Sequence, residues 1–154
     1  MKHKRITLTI GSELENVALV GAAVSRLSEF SSLNREQVNR LELAVVEAVN
    51  NAIEHAYGYA PGHSVEVDLR MGAKDIIVTI HDTGNSMPST AVNTIVGEEA
   101  APSMPMIDGF SADLPEGGWG LLLIKSLTDD VSYSSEAGRN SLRITYHCDS
   151  ETAL

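Results

Sequence analysis

The stretch EAVNNAIEHAYG, Glu47 to Gly58, decides how this chain is read. Val49, Ala52 and Ala56 continue an apolar face begun by Val38, Leu41 and Val45, at the spacing of a helix. Yet Asn50 and Asn51 stand in its middle. An asparagine amide competes for backbone hydrogen bonds and is a poor helix-interior residue. Glu47, Asn50, Asn51 and Glu54 cluster on the side opposite the apolar face. Glu47 and Asn51 are four apart, so both can point at one ligand. Their hard oxygen donors suit Mg²⁺, or a carboxylate that orients a nucleophile beside a metal held by the amide. On spacing alone a polar, solvated helix face is the more common explanation.

Outward from this stretch, the helix extends back to about Arg35, with Asn34 as cap and Gln37 three residues on, and forward to Tyr57. GYAPG ends it. Upstream, RITLTI alternates Ile6, Leu8 and Ile10 with threonines and predicts a half-buried strand. SELE, Ser12 to Glu15, predicts a capping box for a helix running to about Phe30. Downstream, SVEVDLRM and DIIVTIHD form a hairpin around the turn GAK. Thr83 to Gly118 is rich in Gly and Pro and reads as a long connection, with a short helix around Pro88 to Gly97. GGWGLLLIKSLTDDV predicts a glycine-opened helix, and VSYSS, EAGRN and SLRITYH a final hairpin. The expected fold is α+β in one domain, 1–154: a two-layer sandwich of a mixed, mainly antiparallel sheet with helices on one face.

The chain has 154 residues and 43% apolar composition, enough for one real core. Its net charge of −10 argues against duplex nucleic acid as a direct partner. The single cysteine, Cys148, excludes an internal disulfide and a cysteine zinc cluster. No apolar run approaches the ~18 residues of a membrane span, and the basic N-terminus alternates like a strand rather than a signal peptide. A cytoplasmic protein is expected.

Two further stretches carry chemistry. Asp82 ends an apolar strand and is followed by TGN. A carboxylate there, beside a glycine that admits close approach, can accept a hydrogen bond from an amino group such as that of adenine. A plain turn aspartate is the alternative. In EGGWGLLLIK, Glu116 to Lys125, glycines precede a helix, so backbone N–H groups and the helix dipole can face an anion. A flexible hinge before a core helix explains the same residues. His55 lies one turn beyond Asn51, whereas His81 is expected to point out of the sheet. Trp119 reads as packing or a lid contact, and Asp129 and Asp130 sit unfavourably at a helix C-terminus.

Together the three stretches resemble the ATP-binding domain of the GHKL superfamily, the Bergerat fold shared by histidine kinases, type II topoisomerases, Hsp90 and MutL. EAVNNAIEHAYG looks like the N box, DTGNSMP like the first glycine box, and PEGGWGLLLIKSLTDDVSY like the second. The closest likeness is to anti-sigma factor serine/threonine kinases of the RsbW type, and it covers roughly the whole chain. The resemblance implies ATP and Mg²⁺ as cofactors. It implies Asn51 as the Mg²⁺ ligand and Glu47 as general base. Asp82 would bind the adenine amino group, with Gly84 admitting the base, and Gly118 and Gly120 would line the triphosphate. His55, Trp119 and Leu121 join the nucleotide-contacting set, and residues 85–117 would be the lid.

Ser86 replaces the second glycine of the common Asp-x-Gly-x-Gly, a departure that the RsbW-type branch tolerates. The lid carries no Lys or Arg, and Lys125 lies on the helix beyond it. The implied activity is phosphorylation of a serine on a STAS-domain anti-anti-sigma protein, alternating with sequestration of a sigma factor, in a homodimer to which the first strand and first helix contribute. The missing lid cation motivates a second reading, a non-catalytic, ATP-gated partner switch. A third, a detached histidine-kinase catalytic domain, fits less well, since no phosphoacceptor helix pair precedes the site.

Overall fold

A computed structural model describes residues 3–97 and 119–148. Five strands form one sheet: β1 (Lys4–Gly11), β2 (Ser64–Met71), β3 (Asp75–Asp82), β4 (Asp130–Glu136) and β5 (Arg139–His147). Their order is β1-β2-β3-β5-β4, and every pairing among the described strands is antiparallel. The helices are α1 (Val17–Ser28), α2 (Arg35–Asn51), α3 (Ser89–Val96) and α4 (Trp119–Leu127). No helix among the described residues is long and apolar enough to cross a membrane.

Strand alternation decides the layers. Val65, Val67 and Leu69 of β2, Ile76, Val78 and Ile80 of β3, and Leu142, Ile144 and Tyr146 of β5 point to one face and are buried. Val20 and Val24 of α1, Leu41, Val45 and Val49 of α2, and Leu121 and Ile124 of α4 cover that face. Among the described residues no helix covers the other face of the sheet, which carries most of the intervening polar residues.

The β4–β5 turn is tight because Ala137 and Gly138 both take positive φ, 51° and 77°, matching the strand twist. Asn34 and Gln37 form the expected capping box of α2. The one predicted at Ser12 does not form. Ser12 is buried, its hydroxyl donates to the Ala60 carbonyl (2.7 Å), and it accepts from the His63 amide (3.3 Å). A 3-10 turn, Leu14–Asn16, precedes α1 instead. Tertiary partners outbid the local cap here. Asp129 also gains an explanation: it lies past α4, and its carboxylate accepts the His147 amide (2.6 Å) where β4 and β5 come together.

Candidate active site

The site begins with a change of helical pitch. α2 runs regularly to Asn51 and then widens into a π-turn over Ala52–Ala56. Such turns commonly occur at functional sites, because they re-aim side chains and release backbone groups. Tyr57 N bonds back to Ala52 O (3.2 Å), and Gly58 and Tyr59 close the end with φ of 57° and 62°. The Ala56 carbonyl accepts instead from Asn85 N (2.8 Å), tying the end of α2 to the turn after β3.

That turn explains Gly84. A Cβ there would lie 2.3 Å from the Ala56 carbonyl oxygen, so only glycine fits. Close backbone packing is thus a sufficient reason for this glycine before any ligand is considered. Tyr57 fixes the same turn. Its hydroxyl accepts from Thr83 N (2.9 Å) and donates to Ser64 O (2.7 Å), and its ring stacks on His63 at 4.6 Å.

Asp82 is held from two sides. Its Oδ1 accepts from Gly84 N (3.0 Å) and from Asn140 Nδ2 (2.7 Å). Asn140 is buried and also donates to the Gly84 carbonyl (3.1 Å), while its own Oδ1 accepts from Ser135 Oγ (2.7 Å). Both bonds to Asp82 fall on Oδ1 and fix the carboxylate's orientation. Asn140 escaped the sequence reading because it looked like a turn residue. The available signal was an amide where the alternation Asn140, Leu142, Ile144, Tyr146 calls for an apolar side chain.

A cavity of about 440 Å³ opens between α2, the β3 turn and α3, within the ~300–1,000 Å³ range typical of small-molecule sites. Ala48, Ile80, Met87, Ala91 and Leu142 give it apolar walls. Asn51, His55, Asp82 and Leu121 also line it, whereas Asn50 does not. His55 is half-exposed and faces Glu54 at 3.8 Å. Glu47 meets Asn51 at the start of α4: a Cβ on Gly120 would lie 3.0 Å from Asn51 Oδ1, 3.1 Å from Asn51 Nδ2 and 3.2 Å from Glu47 Oε2. Carboxylate, amide and glycine backbone therefore converge on one point. Asn51 Nδ2 is buried there with no hydrogen-bond partner among the described residues, and such a group calls for an explanation, a functional role or a bound ion or water among them. An amide with an unsatisfied end, a neighbouring carboxylate and a side-chain-free helix turn fit a metal–phosphate group. Gly118, residues 98–117 of the expected lid, and the side chain of Trp119 lie outside the described residues.

The first part of the expected lid is fastened. Met87 N donates to the Tyr133 hydroxyl (2.7 Å), and Ile95 of α3 is buried in the core. Lys125 Nζ donates to the carbonyls of Gly97 and Thr94 at the C-terminus of α3. The ammonium thereby satisfies orphan carbonyls at the negative end of that helix. Neither Lys125 nor any other Lys or Arg lines the cavity among the described residues.

Comparison with known proteins follows the same boundaries. A profile of the histidine kinase-like ATPase domain matches residues 10–146. Serine-protein kinase RsbW of Halalkalibacterium halodurans is 30% identical over 135 residues, 86% of this chain and 77% of that protein. The RsbW of Oceanobacillus iheyensis is 26% identical over 149 residues, 97% of this chain and 90% of that one. The crystal structure of the RsbU and RsbW domains of a Mycobacterium tuberculosis protein shares the fold, with a TM-score of 0.59 at 18% identity. That match covers 93% of this chain but 32% of the longer one.

Proposed function

The chain belongs to the histidine kinase-like ATPase domain family, among relatives named serine-protein kinase RsbW, and from that premise we propose that it is an ATP-dependent serine/threonine protein kinase acting as an anti-sigma factor. One observation carries the reading: Asp82 and Asn51 line the same cavity, and Glu47 and Gly120 meet the Asn51 side chain. The apolar walls accept a flat base. Asp82, with Oδ1 occupied by Gly84 and Asn140, offers Oδ2 to an exocyclic amino group. Asn51 holds the metal that accompanies the triphosphate, and Gly120 leaves room for phosphate oxygens. Mg²⁺, when bound with ATP, neutralises phosphate charge.

Glu47 acts as the general base. It takes the proton of a seryl hydroxyl as the oxygen–phosphorus bond forms and the bond to the β-phosphate bridge breaks, leaving ADP. The seryl group comes from a STAS-domain antagonist. In its other state the kinase sequesters a sigma factor, in the cytoplasm where both are found. Transfer here is mainly positioning, and the fixed turn at Asp82 and the π-turn at Asn51 supply it.

A second reading, an ATP-gated switch that never transfers phosphate, draws on Lys125. That ammonium is engaged at α3 rather than turned to the cavity. Calorimetric titration with ATP, with and without Mg²⁺, tests the nucleotide site. Radiolabelled γ-phosphate appearing on a serine of a STAS-domain partner then separates kinase from switch. Binding without incorporation favours the switch, and no binding in either condition overturns both.

A further inference from the structure

Three polar side chains of α2 share one stripe, and the cavity accounts for only part of it. Glu47 and Asn51 lie seven and eleven residues beyond Arg40. At ~100° per residue, both steps fall within about 20° of whole turns. The three side chains therefore line one side of the helix, and that side meets α4 at both ends. Glu47 and Asn51 meet it at Gly120. Arg40 meets it at Ser126, whose carbonyl oxygen accepts from Arg40 Nη2 at 3.1 Å. Numbers rise along α2 from Arg40 to Asn51 while they fall along α4 from Ser126 to Gly120, so the two helices run antiparallel. Arg40 itself does not line the cavity.

The spans on the two helices agree. At ~1.5 Å per residue, Gly120 to Ser126 covers ~9 Å and Arg40 to Glu47 covers ~10.5 Å. Arg40 thus grips α4 at the far end of the contact that Glu47 and Asn51 make at Gly120. The grip suits its place. Ser126 is the last residue but one of α4, so its carbonyl is among the four that no amide within the helix reaches. A guanidinium there also meets the negative end of the helix dipole. Arg40 is half-buried, and its Nε is enclosed with no hydrogen-bond partner among the described residues. An arginine turned out to water would satisfy that donor, so the bond to Ser126 is kept at a cost.

Apolar packing alone leaves the lengthwise position of α4 weakly set. Leu121 and Ile124 are buried in the core, but hydrophobic attraction is non-directional. A hydrogen bond depends on angle as well as distance. Just past α4, Asp129 N donates to Thr145 O of β5 at 3.1 Å. The sheet therefore holds one side of this end and Arg40 the other. The opposite end has little slack, since a Cβ on Gly120 would stand 3.0–3.2 Å from Asn51 and Glu47. A slide of one residue is ~1.5 Å, and a misplacement of ~1 Å at a reacting centre can lower a rate ~100-fold.

We propose that Arg40 is a positioning residue for the phosphate end of the site. Its bond to the Ser126 carbonyl sets where α4 lies along α2, and so where Gly120 stands beside Glu47 and Asn51. This role rests on the nucleotide reading of the cavity. It is tested on the full chain with Arg40→Met and Arg40→Gln, neither of which brings a charged donor to Ser126. NMR titration with adenosine should give wild-type affinity, because Asp82 and the apolar walls are untouched. Calorimetry should show Mg²⁺–ATP affinity falling about 10-fold. Amide hydrogen exchange in residues 123–127, measured without nucleotide, should quicken. Equal loss of adenosine and Mg²⁺–ATP binding would mark a general loss of structure and overturns the proposal. Weaker Mg²⁺–ATP binding with unaltered exchange would make Arg40 a remote charge and overturns it too, as does unchanged Mg²⁺–ATP affinity. A wild type that binds neither ligand sinks the nucleotide reading instead. Hydrogen exchange then decides separately whether Arg40 holds α4: quickened exchange supports the grip, and unaltered exchange ends it. Circular dichroism confirms folding, and either variant carries the test if the other fails to fold.

Discussion

Asn140 Nδ2 donates to Asp82 Oδ1 at 2.7 Å, joining residues 58 apart in sequence that lie directly opposite each other on β5 and β3. The bond locks the carboxylate on which adenine recognition is proposed to depend. A hydrogen bond to a charged group contributes ~1.5–3 kcal/mol. Asn140→Ala should therefore weaken ATP binding by about 10- to 100-fold and lower folding stability by about 1–3 kcal/mol. Calorimetric titration and urea unfolding read the two effects. Unchanged affinity with lowered stability would reduce Asn140 to a purely structural residue.

Glu47 and Asn51 meet beside Gly120 but are proposed to have different tasks. Glu47→Ala should keep ATP binding within a few-fold and abolish phosphate transfer. Asn51→Ala should weaken the Mg²⁺-dependent part of binding. Full transfer by Glu47→Ala would remove it as the base.

Two glycines should respond oppositely to the same methyl group. In Gly84→Ala the Cβ would lie 2.3 Å from the Ala56 carbonyl, forcing backbone to move at a cost of about 1–3 kcal/mol or more. In Gly120→Ala the nearest atoms are 3.0–3.2 Å away and belong to the side chains of Asn51 and Glu47. Those side chains can shift, so stability should change by under about 1 kcal/mol, while Mg²⁺–ATP affinity falls. Thermal unfolding of both variants, with and without nucleotide, checks the contrast.

Lys125→Met removes the donor that closes the end of α3. Amide hydrogen exchange at Val96 and Gly97 should quicken, and stability should fall by about 1 kcal/mol. Unaltered exchange there would show that Ile95 alone secures the helix.

His81 should give the fold a pH dependence. Its pKa lies below the ordinary value, chiefly through burial and then through Arg139, and its Nδ1 bonds to Ser141 Oγ at 2.7 Å. Below about pH 6.5 the unfolded chain binds a proton at this position more readily than the folded one. Stability from this group is therefore present at neutral pH and lost as pH falls through that window. His81→Gln should flatten urea-unfolding stability between pH 7 and about pH 5.5. An unchanged slope would assign the dependence to other groups.

Much of this was legible in local pattern. The alternation in β2, β3 and β5 and the apolar face of α2 specify their own elements, because side-chain period is a property of a few neighbouring residues. The capping box at Asn34 was readable for the same reason. The one expected at Ser12 failed because its hydroxyl found partners about 50 residues away at Ala60 and His63. The joint pattern of Glu47, Asn51, Asp82 and Gly120 was also visible, since each lies in a short motif.

By itself the sequence determined the elements, their apolar faces and the set of residues proposed to bind a nucleotide. Only the tertiary structure decided that Gly84 answers to the Ala56 carbonyl, that Asn140 holds Asp82, that Lys125 secures α3, and that Asp68 and Arg143 flank Thr79 across the open face. Those relationships join positions tens of residues apart. They arise from strand register and close backbone approach, which depend on how the whole chain packs and leave no periodic trace in any one segment.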